Sequence, residues 1–119
     1  MKVAYVAGPY RDARGVWYVG ENICRAREIA RELWMAGIAA ICPHSNTGMM
    51  DGAGFQTDQV FLTGDLAIMA RCDAIVMIPG WQSSPGACAE LERATELGIE
   101  VFIFPDCREA LAAWAWGVL

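Results

Sequence analysis

The chain has one histidine, His44, and no two cysteines in a C-x-x-C spacing. Its five cysteines (Cys24, Cys42, Cys72, Cys88 and Cys107) are odd in number and widely spread. Structural zinc needs clustered ligands, so no metal is expected, and free thiols in a reducing compartment are. Charged residues make up only 19% of the chain, and the formal net charge is −5. That balance lacks the basic surface that holds DNA or RNA, so no nucleic-acid polymer is expected as a partner. No apolar run approaches the ~18 residues of a membrane span, so no membrane partner is expected. A predicted strand opens at Val3 and leaves no room for a signal peptide, so the expected location is cytoplasmic. Repeats, linkers and low-complexity tracts are also missing, and residues 1–119 are read as a single domain.

What is present is apolar: 55% of the residues are hydrophobic. Val3 to Ala7, Ile38 to Cys42, Asp73 to Ile78 and Ile99 to Phe104 are short apolar runs and read as four strands. Between the first two, Val19, Ile23, Ala26, Ala30 and Leu33 recur at helical spacing, and Gly37 closes that helix. A Gly-rich loop is expected over Pro43 to Gly54. A second helix follows from about Thr57 to Arg71, with a break expected at Gly64. A third is expected from Ser84 to Leu97. A final helix capped by Asp106 would contain Leu111, Trp114 and Val118. Short, uniformly apolar strands alternating with helices predict an α/β fold. The expected form is a three-layer, doubly wound parallel sheet of flavodoxin-like strand order 2-1-3-4, truncated after strand four.

Ligands of such sheets bind at the carboxyl ends of the strands, where the chain reverses direction. Three loops converge there: Gly8 to Asp12, Pro43 to Gly54, and Pro79 to Gly86. In the third, Ser84 suits an N-cap and Pro85 the first helical position. The helix N-terminus favours an anion, and Glu90 adds a carboxylate beside it. Each of these residues also has a plainer reading. Glu90 could pair with Arg93 on the helix surface. Asp65 could be an acidic residue of a first helical turn, with Asp58 as its rival for a functional role. Tyr5 could be core, Ser84 only a cap, His44 only a loop residue, and Trp81 a pocket wall or an interface residue. Asp73 reads as a strand-entry residue, and Asn46 and Asp51 read as turn formers.

Taken together, Tyr5-Val6-Ala7-Gly8-Pro9-Tyr10-Arg11, Gly64-Asp65-Leu66 and Ser84-Pro85-Gly86-Ala87-Cys88-Ala89-Glu90 resemble the nucleoside 2-deoxyribosyltransferase family. They also resemble its sister branch, the 2′-deoxynucleoside 5′-monophosphate N-glycosidases. The likeness covers roughly residues 2 to 104 and, with Gly80-Trp81, looks closest to the family's small members. The resemblance implies that Glu90 is a nucleophile forming a covalent deoxyribosyl ester. It implies that Asp65 moves a proton at the base or orients the sugar, and that Tyr5 holds the nucleophile. It places Ser84 and Arg11 at a substrate phosphate, and His44 at a histidine of the glycosidase branch. Gly8, Tyr10, Trp81 and Gly86 complete the expected substrate-binding set. The fifth strand and C-terminal elements of the family have no counterpart here. In their place stands the stretch Trp114-Ala115-Trp116.

The expected activity is cleavage or transfer of the N-glycosidic bond of a small nucleoside or nucleoside 5′-monophosphate, without cofactor. The alternatives are a non-catalytic nucleotide-binding or sensing module on the same scaffold, and a flavodoxin-like FMN carrier. The apolar surplus, with Leu111, Trp114, Trp116, Val118 and Leu119 near the end, predicts a homo-oligomer, most simply a dimer.

Overall fold

The structure is a computed structural model and describes residues 1–48 and 58–117. Four parallel strands form one sheet: β1 (Val3–Ala7), β2 (Ala39–Ile41), β3 (Ala74–Met77) and β4 (Glu100–Ile103). Their spatial order is β2-β1-β3-β4, as the pattern of apolar runs predicts. The helices are α1 (Val16–Met35), α2 (Pro43–Asn46), α3 (Asp58–Met69), α4 (Pro85–Leu97) and α5 (Arg108–Ala115), with a 3₁₀ turn at Trp81–Ser83. The central strands are apolar throughout because they are buried on both faces. Ala4, Tyr5, Val6 and Ala7 of β1, and all four residues of β3, are inaccessible.

Side chains alternate across the sheet, so each strand feeds two cores. On one face Ala4, Val6, Ala74, Val76 and Phe102 meet Ala26, Ala30 and Leu33 of α1, and Leu111 and Trp114 of α5. On the other face Tyr5, Ala7, Ile75 and Met77 meet Met69 of α3, and Ala87 and Ala94 of α4. In register, Tyr5 stands beside Ile75 on one side and Ile41 on the other. Asp73 ties the strand starts together: its carboxylate accepts the Val3 N–H at 2.8 Å, while its own N–H donates to the Val3 carbonyl at 2.8 Å.

Several boundaries differ from the sequence reading. Helix α3 runs unbroken through Gly64 and ends at Met69, because a single mid-helix glycine weakens a helix by only about 1 kcal/mol and does not break it. Strand β2 is three residues long, and Pro43–Asn46 forms a short helix in place of irregular loop. Proline at its first position explains the start, since its missing N–H has no helical acceptor there anyway. The last helix is capped by Cys107, one residue beyond Asp106, with no side-chain bond. Gly37 follows the Ala36 cap of α1 at φ 86°, the left-handed conformation that glycine adopts without strain. Trp114 is buried and Trp116 is 80% exposed. Asp51, the loop segment 49–54, Thr57, Val118 and Leu119 lie outside the described residues, as does the side chain of Asp58.

Candidate active site

The carboxyl ends of β1 and β3 open into a cavity of about 710 Å³. Gly8 continues β1 into its wall. Any side chain at that position would run into Ile78, which follows β3 and donates its N–H to the Ala7 carbonyl at 2.9 Å. Glycine fits there because the Ile78 side chain fills the space that a Cβ would take.

Glu90 lies in the second turn of α4 and is only 6% exposed. It faces the cavity and accepts a hydrogen bond from the Tyr5 hydroxyl, which rises from β1 beneath it. The local alternative does not form: Arg93 pairs with Glu96 at 2.9 Å. Burial raises the Glu90 acid to about 7, the nearby Asp65 charge adds to the rise, and the Tyr5 hydrogen bond works against it. Asp65, on α3, lines the same cavity and is raised to about 6 by burial. The Tyr5 hydroxyl is pushed up strongly, first by burial and then by Glu90, and so stays a donor. Two carboxyl groups thus share one water-poor site, with proton affinities drawn toward neutrality.

The start of α4 borders the same space through Ser84, Pro85, Gly86 and Ala87. Ser84 caps the helix by accepting the Ala87 N–H at 3.2 Å, which bears out its expected capping role. Proline at the first position and the cap account for two first-turn amides. The Gly86 amide, like every early helical N–H, lacks an intrahelical acceptor. Amides so placed favour an anion.

Across the cavity stands the loop between β1 and α1. Tyr10 and Arg11 are in the wall, with the Arg11 guanidinium 5.7 Å from the Tyr10 ring. His44, at the second position of α2, is buried, and its ring meets Tyr10 edge-on at 5.4 Å. Its Nε2 lies 3.1 Å from the Gly8 carbonyl and 2.7 Å from the Pro9 carbonyl. Both partners are acceptors, so Nε2 carries the proton. Burial lowers the His44 pKa, against the pull of the two carbonyls, and the ring is neutral. Trp81 is the one expected binding residue that stands apart: it packs on the smaller core and is not in the cavity wall.

Sequence reasoning missed several residues of the wall: Arg14 just before α1, Asn22 and Arg25 on it, and Gln59, Phe61 and Leu62 of α3. Asn22 is 7% exposed on α1 and donates from Nδ2 to the Tyr10 carbonyl at 3.1 Å. The only sign in the sequence is its position, a polar residue standing three after Val19 and four before Ala26, on the apolar stripe. Arg14 pairs with Asp12 at 2.7 Å and covers the Tyr18 ring at 3.8 Å. Among the described residues no cluster of three His, Cys, Asp or Glu side chains could hold a metal ion. No helix among them is long and apolar enough to cross a membrane.

Among the solved structures that share the fold are three. One is a 2-deoxyribosyltransferase from the psychrotolerant bacterium Bacillus psychrosaccharolyticus, at 20% identity and TM-score 0.60, over 85% of this chain and 70% of that one. Another is a conserved protein from Enterococcus faecalis V583, at 18% identity and TM-score 0.60, over 96% and 74%. The third is a Clostridium botulinum CMP N-glycosidase, at 18% identity and TM-score 0.54, over 92% and 80%. Identities this low establish a common fold and leave function to the site. No curated protein matches the chain in sequence. Residues 2–104 match the family described as "Domain of unknown function (DUF7768)", and the chain belongs to that family.

Proposed function

We propose that this domain cleaves or transfers the N-glycosidic bond of a nucleoside or nucleoside 5′-monophosphate, with Glu90 as nucleophile. The observation that carries the reading is the buried Tyr5–Glu90 pair at the cavity floor, with Asp65 as a second carboxyl in the same space. A Glu90 oxygen attacks the anomeric carbon as the carbon–nitrogen bond breaks, through an oxocarbenium-like transition state. The bonding pair leaves with the base nitrogen, which takes a proton from the Asp65 carboxyl. Water or a second base then displaces Glu90 from the glycosyl ester. Tyr5 holds the carboxylate and orients its attack. The α4 N-terminus with Ser84, together with Arg11, receives the 5′-phosphate. Fold neighbours that include a 2-deoxyribosyltransferase and a CMP N-glycosidase support the substrate class. The 119 residues act as one deoxyribosyltransferase-like unit in a homo-oligomer, a reading that the exposed Trp116 supports.

The productive ionisation is Glu90 as carboxylate and Asp65 as acid, the minor arrangement of the singly protonated pair, because Glu90 holds the proton more tightly. Their proton affinities, near 7 and 6, give a bell-shaped kcat/KM profile whose two limbs belong to the pair. The test is incubation with a panel of deoxynucleosides and deoxynucleotides, with and without acceptor base, followed by chromatography for free base. A 2′-fluoro-2′-deoxy analogue should leave a sugar adduct on Glu90. Release of base by Glu90→Ala at the native rate would defeat the proposal. Binding without any release would make the domain a nucleotide-binding module.

A further inference from the structure

His44 and Asn22 come from different helices, yet both spend their donor on the loop that follows β1. Nε2–H of His44 serves the Gly8 and Pro9 carbonyls, and Nδ2–H of Asn22 serves the Tyr10 carbonyl. Three successive carbonyls are thereby held from behind. The donor assignments fix what is left over, His44 Nδ1 as a bare lone pair and Asn22 Oδ1 as a carbonyl oxygen. Neither atom has a hydrogen-bond partner among the described residues. Yet no buried side-chain nitrogen or oxygen of those residues lacks one. The two atoms therefore keep some accessible surface, although their residues are only 6% and 7% exposed. The space that both residues border is the cavity. An acceptor in such a wall holds water until a ligand supplies a donor in its place.

We infer that His44 Nδ1 and Asn22 Oδ1 form a pair of acceptors that selects a nucleobase bearing an exocyclic amine over its oxo counterpart. The inference rests on the reading of the cavity as a nucleoside or nucleotide site. An exocyclic amine carries two N–H bonds and serves both acceptors. The oxo base offers at that edge one ring N–H beside a carbonyl oxygen, so one acceptor faces another lone pair. Neutral His44 keeps its lone pair for this purpose.

The test uses matched nucleotides: deoxycytidine against deoxyuridine monophosphate, and deoxyadenosine against deoxyinosine monophosphate. They are titrated into the full chain carrying Glu90→Gln, which prevents turnover. At least one amino member should bind about tenfold to a hundredfold more tightly than its oxo partner. Since the chain has one histidine, ¹⁵N-histidine labelling makes the Nδ1 resonance unambiguous. It should shift with the amino ligand and hold still with the oxo ligand. Asn22→Leu and His44→Leu should bring the affinity ratio toward one, and His44→Gln, which keeps a donor and an acceptor, should restore it. A structural role alone would lower both affinities and leave their ratio unchanged. Equal affinities, an unmoved Nδ1 resonance, or no binding of either member would overturn the inference even where a leucine variant fails to fold. Base release by the native chain is measured separately. Amino-selective binding without release would remove the N-glycosidic reading and keep the acceptor pair; equal release from amino and oxo substrates would do the reverse.

Discussion

The two faces of the sheet are built from the same strands and serve different ends. The face under α1 and α5 buries a continuous apolar core, from Ala4 and Val6 to Phe102 and Trp114. The face under α3 and α4 buries a smaller one, and there the alternation of β1 delivers Tyr5 in place of an aliphatic residue. Its hydroxyl meets the buried Glu90 carboxyl. One face is stabilised by removing apolar area from water. The other gives up part of that gain to hold two carboxyl groups where their charged forms are disfavoured. Stability and chemistry are thus divided between the faces, and substitutions on each should fail differently.

The largest expected effect lies on the smaller face. Under the proposed mechanism Glu90→Gln lowers base release by about 10³-fold or more while circular dichroism stays native, as for loss of an enzyme nucleophile. Retained turnover would erase the distinction between the faces. Next comes the larger core. Trp114→Ala removes a ring packed 5.3 Å from Phe102 and should cost about 3–5 kcal/mol in urea denaturation. Turnover per folded molecule should not change.

A third effect sets the site against the fold directly. The Glu90 acid rises from an ordinary 4.5 to about 7, so the folded state favours its neutral form. That contribution is fully present below pH 4.5 and is lost as pH rises through 7. Glu90→Gln keeps an acceptor for Tyr5 without the charge. At pH 8 it should be more stable than the native chain by on the order of 3 kcal/mol. At pH 4 the two should coincide. Equal stability at both pH values would mean that the carboxyl is not strained by its burial. The smallest effect is at the helix cap: Ser84→Ala should cost about 1 kcal/mol of stability. If Ser84 also receives a phosphate, the same change should narrow the kcat/KM ratio of 5′-monophosphate to nucleoside.

Much of the framework was legible in the sequence. The four strands, their order and the start of α4 at Ser84-Pro85 follow from apolar runs and capping residues, which act over a few neighbours. Boundaries were less so: Gly64 reads as a break, yet α3 continues through it because neighbouring turns outweigh one weak position. The meeting of Tyr5 with Glu90 was expected from the resemblance and from the adjacency of the first and third strands. Asn22 was overlooked because a polar residue on an otherwise apolar stripe has no local meaning until its partner is known. Trp81 was expected at the site because it sits in the right loop, but its ring turns to the smaller core.

By itself, then, the sequence determined which segments are strands, that the sheet is parallel and covered on both faces, and where its helices begin. Those features depend on residues close together along the chain. Only the tertiary structure decided that Glu90 binds Tyr5, 85 residues away, and that Arg93 goes to Glu96. Only there do His44 and Asn22 close on three successive carbonyls of one loop. Burial and long-range hydrogen bonding set proton affinity and leave lone pairs exposed, and both depend on what packs nearby and not on what precedes or follows in the chain.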